Sequence, residues 1–250
     1  MKERIEGRDT FNEIKHVIID EAQDYSPFQY EFINKLFPRS RFTLLGDVNQ
    51  GIYAHSNLHG YDPIRQLFGE EQTEMVRLTK SYRSTTDIVE LTKAVLPQGE
   101  PVEAFSRQGG TPLVICLAGE DQLAQAVARD VKVLADKGVQ SIAILCKTER
   151  ETAEAYESLK ELIDVHLITK RTKTFVNGVL VIPSYLAKGL EFDGVIVYNA
   201  GSLQYSRESE RKLFYTALTR AMHHLHIYYT GELTPFLSET GKGLYESVSF

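Results

Sequence analysis

Two adjacent carboxylates, Asp20 and Glu21, directly follow a short apolar run and are well placed for chemistry. The run, residues 17–19, is typical of a strand buried on both faces in a parallel α/β sheet. Acids at the carboxyl end of such a strand lie where these sheets bind ligands. Asp20 is placed to hold Mg2+ on a nucleotide phosphate, and Glu21 to polarise an attacking water. The alternative is an acidic turn, with Asp24 as a helix cap.

A second polar loop follows another predicted strand. Residues 41–47 are predicted to form a buried strand that ends in Gly46-Asp47, and the loop continues to Gln50. The side-chain amide of Gln50 can donate a hydrogen bond to a phosphate oxygen. A tight turn that binds no ligand is the alternative for this loop when it is considered alone.

Two arginines are candidates for phosphate contacts, because a guanidinium can donate two parallel hydrogen bonds to phosphate. Arg83 follows Tyr82 at the predicted start of a helix. Arg220 is the last residue of the stretch Y-T-A-L-T-R at 215–220. Arg220 can supply a second guanidinium to a transferring phosphoryl group, and we expect it to project from its helix, outside the core. The alternatives are a surface salt bridge for Arg83 and a pair with a carboxylate such as Glu191 for Arg220.

These residues must be positioned by α/β domains, because predicted strands alternate with predicted helices. Residues 77–250 contain enough elements for a complete domain, whereas residues 1–76 supply half of a doubly wound domain. One edge of that half-sheet then lacks a partner strand, and we expect this segment to be the less stable one. Later strands are predicted at 112–117, 141–146, 164–169, 179–182, 194–198 and 224–229, with a helix at 208–221.

The composition is that of an ordinary globular chain. Its 250 residues are 42% hydrophobic and 25% charged, with a formal net charge of -6. Such a chain has no global basic field, so any contact with nucleic acid must come from local patches. Cys116 and Cys146 lie in apolar runs typical of buried, reduced thiols in a cytoplasmic protein. We expect no signal peptide, no membrane span and no zinc site.

Five stretches, in this order, closely resemble the superfamily 1A helicases of the UvrD, Rep and PcrA type. They read H-V-I-I-D-E-A-Q-D, G-D-V-N-Q, Y-R-S-T, A-K-G-L-E-F-D and Y-T-A-L-T-R. In that family the nucleotide lies in a cleft between two RecA-like domains, 1A and 2A. The resemblance implies an ATP-dependent motor on single-stranded DNA, with ATP and Mg2+ as cofactors. It assigns residues 1–76 to the C-terminal half of domain 1A and residues 77–250 to domain 2A.

The resemblance also implies roles for the first segment. Asp20 is the Mg2+ carboxylate, Glu21 is the catalytic base, and Gln50 senses the terminal phosphate. Tyr53 falls where the family places an aromatic side chain that stacks on a base of single-stranded DNA. The alternative for Tyr53 is an aromatic residue packed within its own loop.

In the second segment the resemblance implies a nucleotide-contacting set. Tyr82 stacks on the adenine, Arg83 contacts the terminal phosphate and Glu191 binds the ribose. Gly189 lets the backbone approach the ligand closely. Arg220 is the arginine finger.

The sequence departs from the family in two respects. It contains no G-x-x-x-x-G-K-[ST] phosphate loop, so we expect a C-terminal part of a longer helicase that lacks ATPase activity by itself. The missing N-terminal part is then a partner. Tyr185 stands where UvrD-type proteins usually have His, and P-S-Y-L-A-K-G-L-E-F-D resembles the HelD, or helicase IV, branch. The alternatives are a HelD-type ATPase that binds and recycles RNA polymerase, and a catalytically inactive interaction module.

Overall fold

The computed structural model describes residues 10–52, 61–99, 101–105, 107–174, 176–240 and 243–249. The chain forms two compact units, which we call unit 1, ending at Leu78, and unit 2, beginning at Thr79. Strands in both units pair in parallel. In the ranges given above, every helix is too short or too polar to span a membrane.

Among its described residues, unit 1 has a two-stranded parallel sheet and two α-helices. The elements are β1 (His16–Ile19), α1 (Pro27–Leu36), β2 (Arg41–Leu44) and α2 (Asp62–Phe68). Helix α1 begins at Pro27, as predicted, and Ser26 and Gln29 form a capping box before it. Single 3-10 turns follow both strands, at Ala22–Asp24 and Val48–Gln50.

The strands of unit 1 are less buried than the sequence predicted. Ile19 belongs to a small core with Tyr30 and Ile64, and Val17 packs against it. Ile18, between them, is 67% exposed. The prediction of a strand buried on both faces is therefore wrong for β1. Successive side chains of a strand point to opposite faces, and the core residues described lie on the Val17 and Ile19 face.

Unit 2 is built on a seven-stranded parallel sheet in the part of the chain that the structure describes. The strands are β5 (Leu113–Leu117), β6 (Ile142–Cys146), β7 (His166–Leu167), β8 (Val179–Pro183), β9 (Phe192–Val197), β10 (Ala221–Thr230) and β11 (Glu246–Ser249). Their order across the sheet is β11-β5-β10-β9-β6-β8-β7. Two short strands, β3 (Lys80–Ser81) and β4 (Glu103–Ala104), form a separate parallel pair.

Helices cover both faces of the large sheet. They are α3 (Thr86–Val95), α4 (Leu123–Asp136), α5 (Glu149–Leu159), α6 (Glu208–Leu218) and α7 (Pro235–Ser238). In β6, Ala143 and Leu145 pack in one core with α3 and α6. Ile142 and Ile144 pack in a second core with α4 and α5. This alternation confirms the predicted α/β fold with a parallel sheet between helices.

Element boundaries differ from the predictions where packing outweighs the sequence pattern. The helix predicted for 208–221 ends at Leu218, and β10 begins at Ala221, so Arg220 lies in the connection. The predicted strand at 164–169 is reduced to β7. Of the two cysteines, Cys146 is buried and Cys116 is partly exposed, and both are free thiols.

Candidate functional site

The two carboxylates that follow β1 occupy an unusual stretch of backbone. Glu21 has φ 50° and ψ 42°, and it is the one non-glycine residue with positive φ in the described ranges. This left-handed conformation costs an L-residue about 1–2 kcal/mol. The Asp20 carboxylate accepts a hydrogen bond from the Glu21 main-chain N–H at 2.8 Å. The two neighbouring side chains differ in exposure, since Asp20 is exposed and Glu21 is partly buried.

A chain of hydrogen bonds connects Glu21 to the second polar loop. Gln23 Nε2 donates to Glu21 Oε2 at 2.6 Å. Gln23 Oε1 accepts from the Asp47 main-chain N–H at 2.9 Å. Asp47 Oδ2 in turn accepts from Gln50 Nε2 at 2.8 Å. The structure thus brings Glu21 and Gln50 into one network, and buried Gln23 is the link that sequence reasoning missed.

Glycine and tyrosine residues fix the turn that holds this network. A Cβ atom at Gly46 would lie 2.4 Å from Gln23 Oε1 and 3.1 Å from the main-chain nitrogen of Ala22. Any larger residue at this position would therefore require Gln23 to shift. The buried hydroxyl of Tyr30 donates to the carbonyl of Ala22, and burial raises the pKa of Tyr30 well above its ordinary value. Tyr53, the predicted DNA-stacking residue, lies outside the described residues.

Unit 2 brings together three of the residues predicted from its motifs. Arg83 Nε lies 2.6 Å from Glu191 Oε1, and each side chain is 41% exposed. Tyr82, next to Arg83, is 62% exposed. Gly189 has φ 77°, a conformation that glycine adopts readily. An exposed ring, a guanidinium and a carboxylate are thus available to a ligand on the surface of this unit.

Arg220 differs from its predicted environment. Its side chain is 1% exposed and belongs to the core, although the sequence predicted a side chain outside it. The guanidinium donates to the carbonyls of Thr216 and Leu190, at 3.0 and 3.2 Å, and to Thr219 Oγ1 at 3.2 Å. The physical reason is that α6 ends at Leu218, and the side chain then satisfies main-chain oxygens nearby. Arg220 therefore contacts the Gly189–Glu191 loop through Leu190.

Two protein-family models match the chain. The UvrD/REP helicase N-terminal domain matches residues 7–59, and the UvrD-like helicase C-terminal domain matches residues 178–228. A solved structure, the C-terminal domain of a possible DNA helicase from Lactobacillus plantarum, is 36% identical with a TM-score of 0.59. That similarity covers 67% of this chain and 98% of the solved one. The chain belongs to the UvrD/Rep family of superfamily 1 DNA helicases.

Curated DNA helicases match different shares of the chain. The ATP-dependent DNA helicase srs2 of Schizosaccharomyces pombe is 33% identical over 36% of this chain and 10% of its own length. The ATP-dependent DNA helicase Rep of Escherichia coli is 27% identical over 44% and 17%. A probable DNA helicase of Mycoplasma pneumoniae is 25% identical over 83% and 42%. The chain spans less than half the length of each of these relatives.

A more distant solved structure shares the fold of this UvrD/Rep-family chain. Saccharomyces cerevisiae Dbp5, bound to RNA and ADP–BeF3, has a TM-score of 0.54 at 14% identity. The match covers 100% of this chain and 62% of Dbp5. A likeness at this identity shows the fold alone, which is consistent with RecA-like helicase domains.

Proposed function

We propose that this chain is the C-terminal part of an ATP-dependent helicase that couples ATP hydrolysis to movement on single-stranded DNA. The observation that carries the proposal is the hydrogen-bonded chain from Glu21 through Gln23 and Asp47 to Gln50. It connects the two motifs whose residue types suit phosphoryl transfer. We assign residues 1–76 to the C-terminal half of domain 1A and residues 77–250 to domain 2A. The N-terminal part of the motor is the partner that this assignment requires.

Asp20 is the residue that would hold Mg2+. Its carboxylate is exposed at the end of β1. The described residues hold no cluster of three or more His, Cys, Asp or Glu side chains suited to a metal ion. Mg2+ in nucleotide sites takes one or two carboxylates and keeps phosphate and water as its other ligands, so the exposed Asp20 carboxylate is a suitable ligand. When bound, the ion neutralises negative charge on the phosphates.

Glu21 is the proposed general base. It would accept a proton from the water that attacks the terminal phosphoryl group, and Gln50 would orient that group. The bond from Gln23 fixes one oxygen of the Glu21 carboxylate, so the base is oriented before the water binds. Gln23 is thus a positioning residue, because it acts through Glu21 and Asp47.

Unit 2 supplies the proposed contacts to ATP. Tyr82 would stack on the adenine, Arg83 would contact the terminal phosphate, and Glu191 would accept hydrogen bonds from the ribose beside Gly189. Arg83 and Glu191 form an ion pair in this structure, so each side chain would have to give up part of that contact when it binds ATP. Both are partly exposed, so the exchange is energetically small.

Arg220 is proposed to act on the transferring phosphoryl group as the arginine finger. Its buried guanidinium now holds Leu190 and Thr216, so this role requires at least one main-chain bond to be exchanged. A buried arginine also orders the loop of Gly189 and Glu191. Changes at Arg220 should therefore alter both folding and turnover.

Tyr53 is proposed to stack on a base of single-stranded DNA, a contact that tolerates any sequence.

A second candidate function is a HelD-type ATPase that binds and recycles RNA polymerase. It is favoured by Tyr185, which replaces the usual His of UvrD-type proteins. The Tyr185 hydroxyl donates to Glu149, and Lys170 lies over its ring at 5.2 Å. Co-purification of RNA polymerase with the natural protein, lost on Tyr185→His, would favour this candidate.

DNA-stimulated ATP hydrolysis by the natural full-length protein tests the main proposal. Glu21→Gln should lower kcat by at least about a hundredfold while ATP still binds, because the base is lost and the phosphate contacts remain. Glu31→Gln is the matched control, because the Glu31 side chain is 42% exposed and pairs along its own helix with Lys35 at 2.7 Å. Hydrolysis that survives Glu21→Gln would contradict the proposal.

A further inference from the structure

A segment that the motifs did not identify runs beside Tyr82 and Arg83. Strand β4 (Glu103–Ala104) pairs in parallel with β3 (Lys80–Ser81), which leads directly into Tyr82. The main-chain N–H of Phe105 donates to the carbonyl of Ser81 at 2.9 Å, one step further along the same ladder. This parallel register places Phe105 and Arg107 beside Tyr82 and Arg83.

Phe105 packs against the ring of Tyr82. The ring centroids are 4.7 Å apart and the planes meet at 38°. Both rings remain at the surface, with Phe105 50% exposed and Tyr82 62% exposed. Two large rings that contact each other and still face solvent form a platform for a flat apolar ligand. Phe105 also limits the orientations that the Tyr82 ring can adopt.

Arg107 holds the backbone of Arg83. Its Nη1 donates to the Arg83 carbonyl at 2.7 Å, and its Nη2 lies 2.8 Å from His223 Nε2. A guanidinium only donates, so His223 Nε2 is the acceptor in this contact. The carbonyl of Arg107 accepts from the Thr86 main-chain N–H at 3.0 Å. Arg107 thus ties the Arg83 loop to the start of β10.

We propose that Phe105 and Arg107 are positioning residues for nucleotide recognition, one for the base and one for the phosphates. Phe105 sets the Tyr82 ring for stacking on adenine, and Arg107 sets the main chain that presents the Arg83 guanidinium. The proposal rests on the proposed function, since it assigns Tyr82 and Arg83 to ATP. It extends the site to two residues from the segment between α3 and β5.

The two residues should have separable effects on binding. Phe105→Leu removes the ring that orients Tyr82. It should weaken the binding of ATP by about fivefold to tenfold, while the affinity for inorganic triphosphate should change by less than about twofold. Arg107→Gln removes the bond that holds the Arg83 main chain. It should therefore weaken the binding of ATP and of inorganic triphosphate by the same factor, about threefold to tenfold. Phe105→Trp should keep the preference for ATP, because it keeps a ring against Tyr82.

The experiment is titration calorimetry on the natural full-length protein, with ATP and inorganic triphosphate, each with Mg2+. The matched aromatic control is Phe11→Leu, because Phe11 is also 50% exposed and stacks on another ring, that of Phe37. The matched arginine control is Arg129→Gln, because Arg129 donates to a carbonyl of its own helix, that of Gln125. Both controls should bind the two probes as the unaltered protein does.

The outcomes separate this proposal from the proposed function. An unaltered protein that binds ATP no better than inorganic triphosphate overturns the adenine site and this proposal with it. An unaltered protein that prefers ATP, with the same preference in folded Phe105→Leu, overturns only the role of Phe105. Equal binding by Arg107→Gln and the unaltered protein overturns the role of Arg107. If Phe105→Leu does not fold, Phe105→Trp decides, because loss of its ATP preference contradicts the proposal.

Discussion

Units 1 and 2 both place a polar loop beside a parallel strand, but they stabilise that loop by different means. In unit 2 the strand β6 is buried along its whole length between two layers of helices. In unit 1 the strand β1 has a single partner strand in the described residues, and Ile18 is 67% exposed. The polar loops of unit 1 therefore cannot depend on a large core for their geometry.

The difference shows how each unit fixes its candidate residues. In unit 1 the link is local: buried Gln23 bonds to both Glu21 and Asp47, next to a glycine that leaves it room. In unit 2, Arg83 and Glu191 are far apart in sequence, and the folded sheet brings them together. Side-chain hydrogen bonds thus determine the first site, and the chain topology determines the second.

The largest expected contrast is in local stability. Amide hydrogens of β6 should exchange only through global opening, whereas those of β1 should exchange through local opening that costs at least about 3 kcal/mol less. This corresponds to at least about a hundredfold faster exchange in β1. Hydrogen exchange of the 250-residue chain, followed by mass spectrometry, measures both strands together. Equal protection of β1 and β6 would remove the contrast.

One pair of substitutions sharpens the same contrast with a single residue type. Ile144→Ala, at a site with no exposure in β6, should lower the free energy of unfolding by about 2–5 kcal/mol, because it leaves a cavity. Ile18→Ala, in β1, should change it by less than about 0.5 kcal/mol, because the side chain is largely exposed. Urea denaturation measures both values. A large loss at Ile18 would mean that another surface covers it in solution.

Much of unit 2 could be predicted because its elements have strong local signals. The apolar run of β6 and the capping box before α5, from Thr148 and Glu151, predict elements that the structure contains. Strand β11 has no such signal, because Glu-Ser-Val-Ser becomes a strand only by pairing with β5. Its position depends on contacts distant in sequence, which periodicity does not report.

The candidate sites follow the same rule. Motif order identified Glu21 and Gln50 as candidates. Gln23 lies inside the first motif, but its bond to Asp47 crosses from one loop to another, and the spacing of residues does not indicate such a contact. Helical periodicity continued through Arg220 and predicted an outward side chain. The chain instead leaves the helix at Leu218, and the burial of Arg220 depends on where the Leu190 loop packs.

Removing the Arg220 guanidinium should produce an intermediate loss of stability, smaller than the largest loss expected for Ile144→Ala. Arg220→Met keeps the aliphatic length but leaves the carbonyls of Thr216 and Leu190 without this donor, so unfolding should require about 2–3 kcal/mol less. Arg150→Met is the control, because the Arg150 side chain is 87% exposed and its exposed pair with Glu154 should contribute little to the free energy of unfolding. Urea denaturation compares the two. An Arg220→Met variant as stable as the control would favour a purely catalytic role.

The last expected loss of stability, smaller than that at Arg220, concerns the loop after β2, whose Asp47 N–H bonds to Gln23. In Gly46→Ala the new methyl group would lie 2.4 Å from Gln23 Oε1, so Gln23 must shift and weaken its bond to the Asp47 N–H. We expect a loss of about 1–2 kcal/mol, confined to unit 1, and faster exchange of the Asp47 amide hydrogen by NMR. Gly51→Ala is the matched control, because the nearest atom to its Cβ would be 3.6 Å away and its φ of -73° suits alanine. If the Asp47 amide is equally protected in both variants, Gln23 does not hold the two loops together, and the network must depend on the surrounding core instead.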